Sequence, residues 1–255
     1  MPKAITKTYV YGKHALKEAL LNRPETIQKV FLAPNIDAPE LLLLIKKAGV
    51  PTAELSKTKA SEKDLQSAVH QGVVALVSIE DLVHPYHEFI NSLPITNDTS
   101  LVLLDELQDP QNIGAVIRSA AAFGVSGVLI PEHNQGQITG SVLKVSAGMA
   151  FRVPIVSIGN VNNTLSDLKK RSFWIYGLIG GTKEDINDEP FNSPTVMVLG
   201  NESKGIREKT RELCDIRLSI PINPKCESLN AATSMAVALY AWSIKHPKAL
   251  ADSNG

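Results

Sequence analysis

Three stretches of this 255-residue sequence gather side chains that could do chemistry. The first, DELQDPQNIGAVIRSAAAFGV, places Asn112 at the start of a helical pattern and Arg118 further along it. The second, GNESKGI, sets Glu202 between Gly200 and Gly205. The third, PINPKCESLNAATSMAVALYAW, brings Ser228 and Asn230 to the head of a long apolar segment. An arginine, a carboxylate, a hydroxyl and an amide can hold and orient a polar ligand, and the glycines let main-chain amides come close to one. Each residue alone also has an ordinary structural role. Arg118 is then a surface arginine, Glu202 a carboxylate at a helix start, and Ser228 an N-cap.

Several other chemistries lack their residues. No GxGxxG follows the strand pattern at 101, and no GxxxxGK[ST] occurs, so neither a nicotinamide cofactor nor a P-loop nucleotide is expected. HExxH is absent, and His84 and His87 flank only Pro85 and Tyr86, without the spacing of metal ligands. A serine hydrolase of the GxSxG kind is likewise excluded. Cys214 and Cys226 make neither a disulfide framework nor a repeated CxxC metal site, which suits a reducing cytosol. No metal is expected.

The elements that must position these groups form a regular series. LVLLD (101–105), GVLI (127–130), VPIV (153–156), FWIYGL (173–178), VMVLG (196–200) and IRLSI (216–220) are short continuous apolar runs, most with helical patterns between them. Such runs indicate a parallel sheet covered on both faces. Parallel sheets bind ligands beyond the carboxyl ends of their strands, which is where the three stretches fall. The first part of the chain reads as a smaller α/β unit. VFLA (30–33) and VVALVSI (73–79) are strand candidates, PELLLLIKKAG (39–49) is a helix ended by Gly49, and SEKDLQSAV (61–69) opens on Ser61 as an N-cap. SLPITNDTS (92–100) has the composition of a linker, which predicts units at 1–92 and 101–255 joined by 93–100.

Hydrophobic residues make up 44% and charged residues 20%, so the chain should fold as a globular protein. No apolar run approaches the length of a membrane span, and the N-terminus has no apolar signal core, so a cytoplasmic location is expected. The formal net charge is zero. Residues 1–31, however, carry Lys3, Lys7, Lys13, Lys17, Arg23 and Lys29 against Glu18 and Glu25, six against two, a net +4. That stretch is either a face for phosphates or a solvated surface.

Taken together and in this order, the three stretches resemble the SpoU (TrmH-type) RNA ribose 2′-O-methyltransferases of the knotted SPOUT class. The resemblance is carried by N-x-G-x-x-x-R at Asn112, Gly114 and Arg118, by LGNESKGI with Gly200, Glu202 and Gly205, and by Ile220 and Pro221 followed by Ser228, Leu229 and Asn230. It spans residues 100–245. The N-terminal part is similar to the small L30e-like RNA-binding domain of some members. YGKHALKEAL (11–20) and HQGVVA (70–75) resemble the branch that acts on a guanosine of 23S rRNA.

The resemblance implies a fold, a cofactor, partners and roles. The fold is α/β: a parallel-sheet domain with a deep trefoil knot, preceded by the L30e-like domain. The cofactor is S-adenosylmethionine, with Gly200, Ile220 and Leu229 at its adenosyl part and Leu178 and Gly180 beside it. The partners are RNA and a second copy of the chain, with AATSMAVALYAW (231–242) either an interface helix or a core helix. Arg118 faces the ribose and phosphate of the target, Asn112 and Glu202 position Arg118 or the ribose, and Ser228 and Asn230 close the site. Many relatives read S-L-N-V-S in the third motif. Here Asn230 is followed by Ala231 and Ala232, so a common hydroxyl is missing. A tRNA target is the alternative within the class. A non-catalytic RNA-binding protein is the alternative outside it, against which the intact Asn112, Arg118, Glu202 and Asn230 speak.

Overall fold

The computed structural model describes residues 6–57 and 70–251. The helix expected to open at Ser61 lies outside the described residues. The first unit contains β1 (Lys7–Tyr11), α1 (Lys13–Asn22), β2 (Ile27–Leu32), α2 (Pro39–Lys47), β3 (Thr52–Glu54) and β4 (Val73–Ser78). Its sheet runs β1-β4-β2-β3, antiparallel except between β2 and β3. Proline suits the first turn of α2 because the N–H it lacks has no helical partner there. Gly49, at a φ of 67°, ends the helix, and the N–H groups of Gly49 and Val50 bond back to the carbonyls of Lys46 and Ile45.

The second unit begins earlier than the composition suggested. After α3 (Ile79–Leu82) come β5 (Val83–Pro85) and α4 (Tyr86–Ser92). β5 pairs in parallel with β8 (Ile155–Ile158), and Tyr86, Phe89 and Ile90 pack with Leu101, Leu129 and Val156. Residues 83–92 therefore sit in the large sheet and its covering layer, not in the first unit. The stretch 93–100 leaves Pro94, Thr96 and Asn97 exposed but ends inside the larger unit. Thr99 and Ser100 are buried, and the N–H of Thr96 donates to Thr99 Oγ1 across a turn. The strand was hidden because it is only three residues long and ends on a proline, which a strand at the sheet edge tolerates.

The remaining elements are β6 (Ser100–Asp105), α5 (Pro110–Ala122), β7 (Gly127–Pro131), α6 (Gly140–Val145), β8, α7 (Val161–Lys170), β9 (Trp174–Leu178), β10 (Glu184–Asp185), β11 (Thr195–Gly200), α8 (Glu208–Leu213), β12 (Ile216–Ser219) and α9 (Ala231–Ser243). Among the described residues the large sheet has eight strands in the order β10-β12-β9-β11-β6-β7-β8-β5, all parallel. Both faces are covered, as expected. Leu101, Leu103, Val196 and Val198 pack with Leu165 and Leu168 of α7, while Val102, Leu104, Met197 and Leu199 pack with α5 and α9. A strand buried on both faces has no polar positions to alternate, hence the unbroken apolar runs.

The same core continues into the first unit, through Val142, Leu143 and Phe151 to Val10, Ala15 and Leu16. The seam is tight. A Cβ on Gly140 would lie 2.3 Å from the carbonyl oxygen of Tyr9, and Arg152 Nε donates to the buried Glu18 at 2.5 Å. Part of the basic N-terminal run is engaged within the unit: Lys17 pairs with Glu40 at 2.6 Å and Arg23 with Glu25 at 2.6 Å. Lys3 lies outside the described residues.

Candidate active site

β6 and β11 are neighbours in register, with Asp105 opposite Gly200 at their carboxyl ends. The two loops that follow are thereby brought side by side. The first, 106–109, leads into α5. Asp109 is the N-cap, accepting from the N–H of Gln111 at 2.9 Å, and Pro110 opens the helix. The second, 201–206, folds back on itself. Asn201 and Gly205 exchange backbone bonds of 3.0 and 2.9 Å, and Asn201 Oδ1 accepts from the N–H groups of Ser203 and Lys204. A Cβ on Gly200 would meet the carbonyl carbon of Gly205 at 2.2 Å. The need for glycine at 200 comes from the loop itself, before any ligand arrives.

Glu202 crosses from the second loop to the first. Its Oε1 accepts from the N–H of Asp109 at 3.0 Å, from the N–H of Gln108 at 3.3 Å and from Asn112 Nδ2 at 3.2 Å. Partial burial pushes its pKa up. The bonds from Asp109, its own N–H, Asn112 and Gln108 outweigh this and hold it below the ordinary carboxylate value. Asn112, almost fully buried, passes the connection on: its Oδ1 accepts from Asn230 Nδ2 at 2.9 Å. Asn230 in turn caps α9, its Oδ1 accepting from Ala232 and Thr233. Glu202, Asn112 and Asn230 thus form one chain of bonds across all three motifs. The cap of α9 is Asn230 and not Ser228.

Beside this chain lies a cleft of about 700 Å³. Leu178, Gly180, Gly200, Ile220 and Leu229, all five residues expected at the cofactor, line it, together with Glu202 and Ser228. Asn112, Asn230 and Arg118 are not in the lining. Asn112 and Asn230 reach the cleft through Glu202. Arg118 stands apart, on the exposed side of α5, with no hydrogen bond or ion pair to the described residues. Ala232, where the resemblance leads to a serine being expected, is buried with its N–H on Asn230, and a hydroxyl one turn into α9, Ser234, lines the cleft.

Four positions escaped the reading of motifs. The N–H groups of Gln108 and Asp109 are the main anchors of Glu202. Asp105, fully buried, is paired with Arg207 at 2.6 Å and also accepts from its N–H, tying the ends of both loops together. A charged residue closing an apolar strand is the one signal that marked Asp105; Arg207, in contrast, reads as any surface arginine. Gly114 has a structural reason. A Cβ there would lie 2.6 Å from that of Val145, so the glycine lets α5 press against α6.

No group of three or more His, Cys, Asp or Glu side chains among the described residues is placed to hold a metal, and no described helix is long and apolar enough to cross a membrane. Comparison with known proteins agrees with the motifs. Residues 99–240 match the family model described as the SpoU rRNA Methylase family, and residues 9–82 match one described as RNA 2′-O ribose methyltransferase substrate binding. The 23S rRNA (guanosine-2′-O-)-methyltransferase RlmB of Pseudomonas putida is 32% identical over 91% of this chain and 94% of its own length. RlmB of Coxiella burnetii is 34% identical over 91% of this chain and 93% of its own. The fold is that of the SpoU methyltransferase AviRb from Streptomyces viridochromogenes, solved in complex with AdoMet. That structure has a TM-score of 0.78 and 24% identity, covering 95% of this chain and 91% of AviRb. The chain belongs to the SpoU rRNA methylase family.

Proposed function

We propose that this protein transfers a methyl group from S-adenosylmethionine to a ribose 2′-hydroxyl, that of a guanosine in 23S rRNA, and that it does so in the cytoplasm as a homodimer. The observation that carries the reading is the bonded chain Glu202–Asn112–Asn230 standing against a cleft that all five adenosyl-site candidates line. Its RlmB relatives are named for that reaction along nearly their whole length.

The cleft fits the cofactor. Its volume lies within the range of small-molecule sites, and Leu178, Ile220 and Leu229 give the apolar wall that an adenine ring needs. A Cβ on Gly180 would meet nothing within 4 Å, so the main chain there is open to a ligand. When bound, S-adenosylmethionine supplies an activated methyl group. The chain's own residues then supply alignment. Glu202, fixed by two main-chain N–H groups and Asn112, holds the two loops in one geometry, and Ser228 flanks the cleft from the third. Arg118, outside the cleft, acts on the RNA side, where its guanidinium grips a phosphate oxygen and its fixed charge stabilises the developing 2′-oxyanion.

The strand order β12-β9-β11-β6 fits the trefoil knot that the resemblance implies, and we include the knot in this reading. The dimer is supported by α9. One side of it is core, through Met235, Leu239 and Trp242, while Val237, Tyr240 and Ile244 just beyond remain exposed. The test is methyl transfer from labelled S-adenosylmethionine to total RNA from cells lacking the protein. Label in 23S rRNA is expected. Label confined to tRNA would overturn the rRNA assignment, and no label in any RNA would overturn the enzyme.

A further inference from the structure

Arg207 closes the second loop, at the head of α8, and binds the first loop at two successive residues. Its N–H donates to Asp105 Oδ2 at 3.1 Å and its Nε to Asp105 Oδ1 at 2.8 Å, while a terminal nitrogen lies 2.6 Å from the same Oδ1. The other terminal nitrogen lies 3.2 Å from Glu106 Oε1. A guanidinium is a planar fork of donors, so it can span two neighbouring carboxylates in one fixed orientation. The pair differs from the surface pairs at Lys17 and Arg23, because Asp105 is fully buried and a buried carboxylate needs a partner.

Glu106 is where the first loop turns. Its φ is 66°, in the left-handed region that residues other than glycine seldom adopt. Such a conformation persists only where its surroundings impose it. Three groups do so here. Asn201 Nδ2 donates to the Glu106 carbonyl at 2.9 Å, Gln108 Nε2 donates to the same oxygen at 3.1 Å, and Arg207 holds the side chain. Two of the three belong to the second loop. Just beyond the turn, the N–H groups of Gln108 and Asp109 meet Glu202. A peptide N–H has no rotamer of its own, so the dihedrals of the preceding turn aim it. Those two bonds help to hold the Glu202 pKa below the ordinary carboxylate value. Arg207 has no bond to Glu202 among the described residues, so its influence passes through the turn.

We propose that Arg207 is a positioning residue for methyl transfer: by pinning Asp105 and Glu106 it holds the turn that aims two main-chain N–H groups at Glu202, and so sets the chain Glu202–Asn112–Asn230 against the cleft. The proposal rests on the function above for the reaction itself. Arg207→Lys tests it, because a lysine keeps a cation beside Asp105 but cannot span both acids in one plane. In this variant kcat should fall at least about tenfold, since a misplacement of about one ångström remote from the chemistry can cost still more. S-adenosylmethionine affinity, read by calorimetry, should stay near that of the parent, because Leu178, Gly180, Ile220 and Leu229 lie on other segments. The Glu202 carboxyl, followed by carbon-13 NMR of glutamate-labelled protein and assigned with Glu202→Gln, should titrate closer to the ordinary carboxylate value than in the parent. The charge at 207 is kept, so that movement reports geometry and not lost attraction. Glu106→Ala, which spares the buried pair, should move the titration the same way by less, and it carries the test if Arg207→Lys does not fold. Parental kcat, an unmoved titration, or a loss confined to cofactor affinity would overturn the proposal. The titration needs neither RNA nor cofactor. A moved titration with no methyl transfer by the parent contradicts the methyltransferase reading and supports the positioning of Glu202; transfer by the parent with an unmoved titration contradicts the positioning alone.

Discussion

At the scale of single residues, the groups proposed for the cofactor line the cleft, and Arg118, proposed for the RNA, stands outside it. Arg118 is outside the cleft, so Arg118→Ala should leave S-adenosylmethionine affinity unchanged and lower kcat about a hundredfold or more, the usual cost of losing a fixed donor at a developing oxyanion. Calorimetry and single-turnover transfer check the two halves, and near-parental turnover would refute the role. The cysteines offer a second view of the cleft. Burial pushes the Cys214 thiol up to about 11, whereas Cys226 is exposed and lines the cleft. Only the thiolate reacts, so at pH 8 iodoacetamide should modify Cys226 and spare Cys214. Saturating S-adenosylmethionine should slow that modification; an unchanged rate would place the cofactor elsewhere. That Leu178, Gly180, Gly200, Ile220 and Leu229 share one cleft could be anticipated because each lies in a motif, at the end of a strand or in the loop that follows it. The main-chain anchors Gln108 and Asp109 could not be, because a backbone N–H leaves no mark on the type of residue that carries it.

At the scale of elements, the site is a joint between two loops, and its stability should follow the groups that fasten them. Gly114→Val would force side-chain atoms into Val145 of α6 and should destabilise the fold by about 1–3 kcal/mol, the common cost of overpacking, as read by urea denaturation. A variant as stable as the parent would mean that the helices part freely. Glu202 gives a pH dependence. Its folded pKa lies below the unfolded one, so the stability it contributes is complete above the ordinary carboxylate range and is lost as the pH falls through the folded value. The stability difference between the parent and Glu202→Gln should therefore shrink between pH 6 and strongly acid buffer, and a difference constant across that range would contradict the assigned bonds. Most strands could be read from the sequence because burial on both faces leaves continuous apolar runs. β5 and α4 could not, since a three-residue edge strand ending on Pro85 carries too few residues for any period to show. The boundary of the first unit was misplaced for that reason: the polar stretch 92–100 looked like a hinge, while its Thr99 and Ser100 are buried inside the larger unit.

At the scale of the whole molecule, the two units share one hydrophobic core and are fastened by Glu18–Arg152 and by the close approach at Gly140. The first unit, which matches the substrate-binding family model, is thereby held in a fixed relation to the cleft. A charge pattern cannot reveal such a seam, because it depends on which apolar surfaces meet. The arrangement suits the proposed reaction, in which the first unit would grip the RNA and the three motifs would align the ribose. The most direct measurement of this claim is a nucleotide-resolution map of ribose methylation on 23S rRNA from cells lacking the protein, after incubation with S-adenosylmethionine and either the parent or Arg118→Ala. One new alkali-resistant linkage 3′ to a guanosine is expected with the parent and none with the variant. Methylation at a base atom or at another nucleoside's ribose, or the same linkage formed equally well by Arg118→Ala, would contradict the claim.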